Sequence, residues 1–264
     1  MREICLGSTA TEIGGPPAPP ERAVTLVLKG SEVRKLAVMD SIEITILRTG
    51  AATAAAAKHL ARPDSSTVTV CGCGLQGRIQ LRALSRVLPL AHAFAFDVDP
   101  ARAGAYCEEM SAELEIDVVP AAGLRAAVSG SDVCVTCTPS RAPFLERAFL
   151  RPGTFVAAVG ADSPDKQELD PAILASAKVV ADVLDQCAAI GEIHHALAAG
   201  RIARADVHAE LGEVVAGPKP GRTSAAEITV FDSTGTALQD VAAAALVYEK
   251  AARIGAGTPI ALEA

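Results

Sequence analysis

Residues 67–80 read TVTVCGCGLQGRIQ. A β-branched run enters three glycines, Gly72, Gly74 and Gly77, and leaves as a helix-like stretch. That order suits a phosphate-binding turn. Gly72 takes the tight turn out of the strand, Gly74 lets the backbone touch a pyrophosphate, and Gly77 lets the new helix pack against the strand. Leu75 and Gln76 complete the turn, where the helix start offers free N–H groups and the positive end of its dipole. The next strand, AFAFDVD, ends in Asp97, 20 positions after Gly77. A carboxylate at that spacing accepts hydrogen bonds from the adenosine ribose hydroxyls. Asp99 follows with no basic residue beside the two acids to welcome a 2′-phosphate, so the expected cofactor is NAD rather than NADP.

Outward from this turn the chain alternates strand and helix. Strands are expected at 67–71, 92–96, 116–119, 132–137, 154–159 and 178–183, and helices at 75–88, 101–112, 121–129 and 185–199. TFVAAVG and AKVVADV are continuously apolar, the pattern of parallel strands covered on both faces. A last strand, EITVFDS, leads into a helix from about Gly235 to Ile254. Upstream, residues 1–24 hold four prolines and read as a loop or arm. TLVLKGSEVRKLAVMD then reads as two strands about a K-G-S turn, followed by an alanine-rich helix from about Thr45 to Leu60, ended by Pro63. The fold class expected is α/β. A Rossmann-type doubly wound parallel sheet occupies 63–231, and a smaller α+β substrate and dimerisation unit is built from both chain ends, 1–62 and 232–264.

The 264 residues are 50% hydrophobic but only 3% aromatic, with alanine filling the difference. Against 31 acidic side chains stand 24 basic ones, a net charge of −7, which argues against a nucleic-acid or anionic-membrane partner. No signal-like start and no long uninterrupted apolar stretch is visible, so a cytoplasmic protein is expected. Seven cysteines, an odd number, cannot all pair within one chain. Cys134 and Cys137 form a C-x-x-C, but their odd separation along a strand turns them to opposite faces, and no metal is expected.

A bound nicotinamide implies hydride transfer, and substrate should lie beyond the carboxyl ends of the strands. Three loops qualify: TPSRAP, GADSPDKQELD and DSTG. Asp162 follows TFVAAVG and could move a proton to or from a substrate amine. Its plainer reading is a turn-forming aspartate bonded to its own backbone. Asp165 and Asp170 read as a loop residue and a helix cap before Pro171. Arg48 stands in an apolar setting, where a guanidinium wants an anion such as a substrate carboxylate. His194 and His195 point about 100° apart on a helix and make a poor metal pair.

Together, ILRTGAATAAAAKHLARPDSSTVTVCGCGLQG, VTCTPSRAPFL, LRPGTFVAAVGADSPDKQELD, HAELGEVVAGPKPGRTS and ITVFDSTGTALQDVAAAALVYEKA resemble the ornithine cyclodeaminase/μ-crystallin family, over roughly Val27 to Lys250. The resemblance implies NAD-dependent chemistry at the Cα–N bond of a small amino or imino acid, with ornithine cyclodeamination the first expectation. A ketimine (pyrroline-2-carboxylate) reductase or alanine dehydrogenase is the alternative, and a non-catalytic NAD-binding protein a further one. It also implies that Arg48 holds the substrate carboxylate and that Asp162 is catalytic. Thr138, Ser140 and Ser233 would border the cofactor, and a homodimer is expected. Residues 1–24 match none of the segment that family members carry ahead of TLVLK, which supplies an arginine and a lysine to the carboxylate. The smaller unit is therefore expected to be shortened at its N-terminus.

Overall fold

Two units divide the computed structural model, which describes residues 24–29 and 34–258: one runs up to Arg48 and resumes at Thr236, the other is Thr49–Gly235. The expected boundaries, after residues 62 and 231, shift for a physical reason. Ala52, Ala56, Ala57 and Leu60 bury themselves in the core of the larger unit, so most of their helix belongs to it. Most of the arm expected at 1–24, and Gly30 and Ser31 of the expected turn, lie outside the described residues.

In chain order, β1 (Val24–Lys29) and β2 (Arg34–Asp40) pair antiparallel, with Val24 opposite Asp40 and a bulge after Val27. Helix α1 (Ser41–Leu60) follows, then β3 (Thr67–Cys71), α2 (Leu75–Ser85), β4 (His92–Phe96), α3 (Pro100–Leu114), β5 (Asp117–Pro120) and α4 (Leu124–Gly130). The second half starts with β6 (Val133–Thr136), β7 (Arg141–Leu145), β8 (Phe155–Ala158), β9 (Gln167–Leu169), α5 (Pro171–Leu174) and β10 (Lys178–Ala181). It closes with α6 (Leu184–Ile190), α7 (Glu192–Ala198), β11 (Ala209–Glu210), α8 (Leu211–Ala216), β12 (Thr229–Asp232) and α9 (Ala237–Ile254). In the smaller unit Ile44 of α1 and Ala244 of α9 are buried, with Leu36, Met39 and Val247 packed around them.

The large sheet is parallel throughout, in the order β11-β10-β12-β8-β6-β3-β4-β5. From β3 the chain runs outward through β4 to β5, then returns to the other side of β3 as β6. That reversal opens a crevice beyond the carboxyl ends of β3 and β6. Successive strand residues feed two cores, one per face. Val68, Val70, Val133, Val135, Phe155 and Phe231 point to one, Cys71, Cys134, Val156, Val179 and Val230 to the other. Burying such an aliphatic or aromatic side chain contributes about 1.5–3 kcal/mol, which is why these strands are apolar at most positions, with Thr69, Thr136, Thr229 and Asp232 the buried polar members among them.

The structure adds to the expectation or departs from it in several places. The helix expected at 185–199 is two helices, because Gly191 is extended (φ −93°, ψ −168°) and a Cβ there would lie 2.7 Å from Asp232 Oδ2. A short parallel pair, β7 with β9, forms from segments that read as loops. The strand expected last in the chain, β12, enters the sheet between β8 and β10, a position the sequence did not specify. Among the described residues no helix is long and apolar enough to cross a membrane.

Candidate active site

The glycine turn is built as its spacing demands. Gly72 has φ +104°, and a Cβ there would lie 2.8 Å from the Cys137 carbonyl oxygen. A Cβ on Gly77 would fall inside contact distance of the Gly72 carbonyl oxygen, so that glycine lets α2 start hard against β3. Gly74 is different: a Cβ on it would meet nothing within 4 Å. Among the described residues its bareness serves no contact, and it keeps the backbone open to a ligand. Gly74 also caps α2 without any side-chain bond, so no side chain competes for the first amides of the helix. Leu75, at the head of that helix, is 63% exposed, and Gln76 Oε1 is buried without a partner. A dinucleotide pyrophosphate fits this loop.

Asp97 is nearly buried and accepts from the Cys73 N–H (2.9 Å) through Oδ2 and from the Asp99 N–H (3.0 Å) through Oδ1. It braces the glycine loop from the end of β4, where a ribose would also arrive. Asp99 caps α3, accepting from Ala101 and Arg102. The first turn of that helix returns Arg102 Nη1 to 3.9 Å from Asp97 Oδ1. The acids therefore do have a basic neighbour, contrary to the reading of the linear sequence. Cys73, within the loop, is inert: burial pushes its thiol up to about 12.

The three loops expected to border substrate all follow adjacent parallel strands. Thr138 and Ser140 follow β6, Asp162 follows β8, and Ser233 follows β12. The Asp162 side chain is 56% exposed, and its Oδ1 accepts from Lys166 Nζ at 2.6 Å. The Lys166 carbonyl in turn meets His195 Nε2 at 2.7 Å. Thr138 Oγ1 donates to Glu168 Oε1 (2.7 Å), Ser140 Oγ to the Ala142 carbonyl (2.7 Å), and the buried Ser233 Oγ to Asp182 Oδ2 (3.0 Å). Arg48 lies in the smaller unit, where its Nε donates to Asp240 Oδ1 at 2.9 Å. The anion its apolar setting called for is, in this structure, a carboxylate of α9. Asp170 caps α5 as expected, accepting from the Ala172 N–H.

Beneath these loops sit four carboxylates that the sequence did not disclose: Glu168, Asp182, Glu192 and Asp232, all buried. Lys166 was overlooked as well, although its spacing of four from Asp162 was a usable signal. Asp232 accepts from the Ile193 N–H through Oδ2 at 2.8 Å, while its Oδ1 has no partner among the described residues. Burial, and behind it the Asp182 and Glu168 carboxylates, pushes Asp232 from 3.8 up to about 7. A carboxyl whose folded pKa is raised binds its proton more tightly folded than unfolded. Its contribution is whole below about pH 3.8 and is lost as pH rises to about 7. That rise corresponds to about 4 kcal/mol at most. Glu227 works in the opposite sense. Its burial is outweighed by hydrogen bonds, the largest from Lys178, and it falls to about 2, so its contribution is lost only as pH drops below about 4.5. The thermal midpoint is therefore expected to be higher near pH 5 than near pH 8. Asp232→Asn should flatten that slope in calorimetric scans, and an unchanged slope would remove Asp232 as its source.

Residues 18–254 match the family model for the Ornithine cyclodeaminase/mu-crystallin family. Alanine dehydrogenase of Archaeoglobus fulgidus is 47% identical over 228 residues, which are 85% of this chain and 69% of that protein. The fold matches that of Thermococcus litoralis Delta(1)-pyrroline-2-carboxylate reductase, solved with NADH and L-proline. The TM-score is 0.88 at 36% identity, over 90% of this chain and 74% of that one. It matches equally an archaeal alanine dehydrogenase dimer with bound NAD, at TM-score 0.88 and 43% identity, over 93% of this chain and 76% of that one.

Proposed function

The chain belongs to the ornithine cyclodeaminase/mu-crystallin family, and from that premise we propose that it is an NAD-dependent oxidoreductase acting at the Cα–N bond of a small amino or imino acid. Within the family, dehydrogenase or imine reductase is favoured over the ornithine cyclodeaminase first expected. The observation that carries this choice is the 47% identity to an alanine dehydrogenase, joined to a fold match with a pyrroline-2-carboxylate reductase.

When bound, NAD would exchange a hydride with the substrate Cα. The chain's own residues supply the rest. Gly72, Gly74 and Gly77, with the amides of Leu75 and Gln76, would hold the pyrophosphate, and Asp97 the adenosine ribose. Thr138, Ser140 and Ser233 would border the nicotinamide end. Asp162 would take the proton that leaves the substrate nitrogen during oxidation, or return it during reduction. Its carboxylate also favours positive charge on a C=N nitrogen close by. Lys166 engages Oδ1 of that carboxylate and fixes its direction. Arg48 would bind the substrate carboxylate, a role in which the substrate must displace Asp240. In the oxidative direction, Cα gives up hydride and the nitrogen a proton, water adds to the C=N carbon, and ammonia leaves. In the reductive direction hydride goes to carbon and a proton to nitrogen. A homodimer is part of this proposal. Support comes from the dimer reported for the archaeal relative and from Leu238, Leu246 and Ile254, apolar side chains exposed on α9.

A panel of L-alanine with ammonia release, pyrroline-2-carboxylate with NADH, and L-ornithine with proline formation tests the choice. Turnover of the amino or cyclic imino acid, with NADH made or consumed in equal amount, is expected. Proline and ammonia from ornithine without net NADH would reverse the preference. NADH binding without turnover on any arm would leave a non-catalytic binder.

A further inference from the structure

Glu168 is fully buried on β9, yet it reaches two of the loops just described. Its Oε1 accepts from both the N–H (2.6 Å) and the Oγ1 (2.7 Å) of Thr138, and its Oε2 accepts from the Gly160 N–H at 3.0 Å. Thr138 opens the loop after β6, and Gly160 lies two residues before Asp162. These strands are neighbours, and their last ladder bond runs from the Val159 N–H to the Thr136 carbonyl (2.9 Å). Beyond it the two chains part, and their amides need another acceptor. Glu168 supplies one for both.

The surroundings are shaped to this carboxylate. A Cβ on Gly160 would come within 2.5 Å of both Glu168 oxygens, so Gly160 is bare to admit Glu168, not a ligand. Glu168 is itself held from behind, because its own N–H and that of Leu169 donate to Glu192 at 2.7 and 3.2 Å. The Gln167 N–H donates to the Ser140 carbonyl (2.9 Å), tying the same strand to the first loop a second time. Thr138 Oγ1 also accepts from the Ser140 N–H (3.2 Å), which carries the clamp along that loop. Burial raises the pKa of Glu168. A fold that keeps so costly a group in its core gains a fixed geometry from it.

We infer that Glu168 is a positioning residue: it locks the loop of Thr138 and Ser140 to the loop of Asp162, so that cofactor and catalytic carboxylate keep one mutual placement. This rests on the dinucleotide-dependent reading given above. It adds a residue that touches neither substrate nor cofactor and acts only through Thr138 and Gly160.

Glu168→Gln has the same shape but carries an NH2 in place of one acceptor. Whichever way the amide turns, that NH2 faces an N–H donor, of Thr138 or of Gly160, and one tether breaks. The expected result is a fall in kcat of about 100-fold, the scale of a misplacement of about 1 Å. The Kd for NADH, read by NADH fluorescence, should rise by about three- to tenfold. Rates are taken per bound NADH, so a smaller folded fraction lowers the binding amplitude without moving either quantity. A Glu168→Gln enzyme with wild-type kcat per bound NADH overturns the inference. Should that variant not fold, Thr138→Val, which deletes the Oγ1 bond to Glu168 together with the bond Oγ1 accepts from the Ser140 N–H, replaces it under the same criterion. A wild type that binds NADH and turns over nothing defeats the functional reading instead. The inference is then decided by NADH affinity, and a Kd of Glu168→Gln within about twofold of wild type overturns it.

Discussion

Asp162→Asn is expected to lower kcat by about 10²–10⁴-fold, the usual worth of a positioned acid or base, while NADH binds as before. The substitution keeps the size of the side chain and removes its capacity to take a proton. The geometry makes the experiment decisive. Asp162 is half exposed, away from the buried core, and it makes an ion pair with Lys166 and a turn bond from its N–H to the Gly160 carbonyl at 3.2 Å. An exposed ion pair of this kind contributes about 0–1 kcal/mol, so the thermal midpoint should hardly move. A turn-forming aspartate would give the opposite pattern, with unchanged turnover and a small loss of stability. Steady-state kinetics on the responsive substrate, NADH titration and a melting curve distinguish the two. Wild-type kcat in Asp162→Asn would return Asp162 to a turn residue.

Gly77→Ala should unfold the nucleotide site, and Gly74→Ala should not, although both lie in one motif three residues apart. Alanine is the better helix former by about 1 kcal/mol, so an isolated α2 would gain from Gly77→Ala. Within the fold the new methyl meets the Gly72 carbonyl oxygen, a backbone atom that cannot swing aside. Either α2 withdraws from β3 or β3 shifts, and Tyr106, whose hydroxyl donates to the Gly77 carbonyl at 3.0 Å, loses its partner. A loss of about 3 kcal/mol or more is expected, a fall in melting temperature of about 10 °C for a chain of this size, together with NADH binding. At Gly74 the added methyl meets no protein atom. Stability should then hold within about 0.5 kcal/mol, while NADH affinity falls at least about tenfold, because the methyl occupies the path of the pyrophosphate. Equal melting losses in the two variants, or full NADH affinity in Gly74→Ala, would contradict this division of roles.

What the linear chain determined is whatever depends on neighbours a few residues apart. The glycine spacing at 72, 74 and 77 was legible because a tight turn, an open backbone and a close helix start are local demands. The doubly apolar strands were legible because burial on both faces leaves few polar positions. Asp170 with Pro171 announced its cap for the same reason. Tertiary structure alone decided where long-range partners lie. Nothing near Arg48 in sequence foretells Asp240, 192 positions away. Asp97 gave no sign that it would brace Cys73, nor Arg102 that its helix would carry it back to that acid. Gly191 breaks a helix only because Asp232 arrives beneath it from a strand inserted into mid-sheet. Nothing in KQELD or GEIHH marks Glu168 and Glu192 as buried, since charge ordinarily seeks water. They are buried because strand ends strand their amides in a dry place, and a carboxylate with several donors is one of the few groups that can satisfy them.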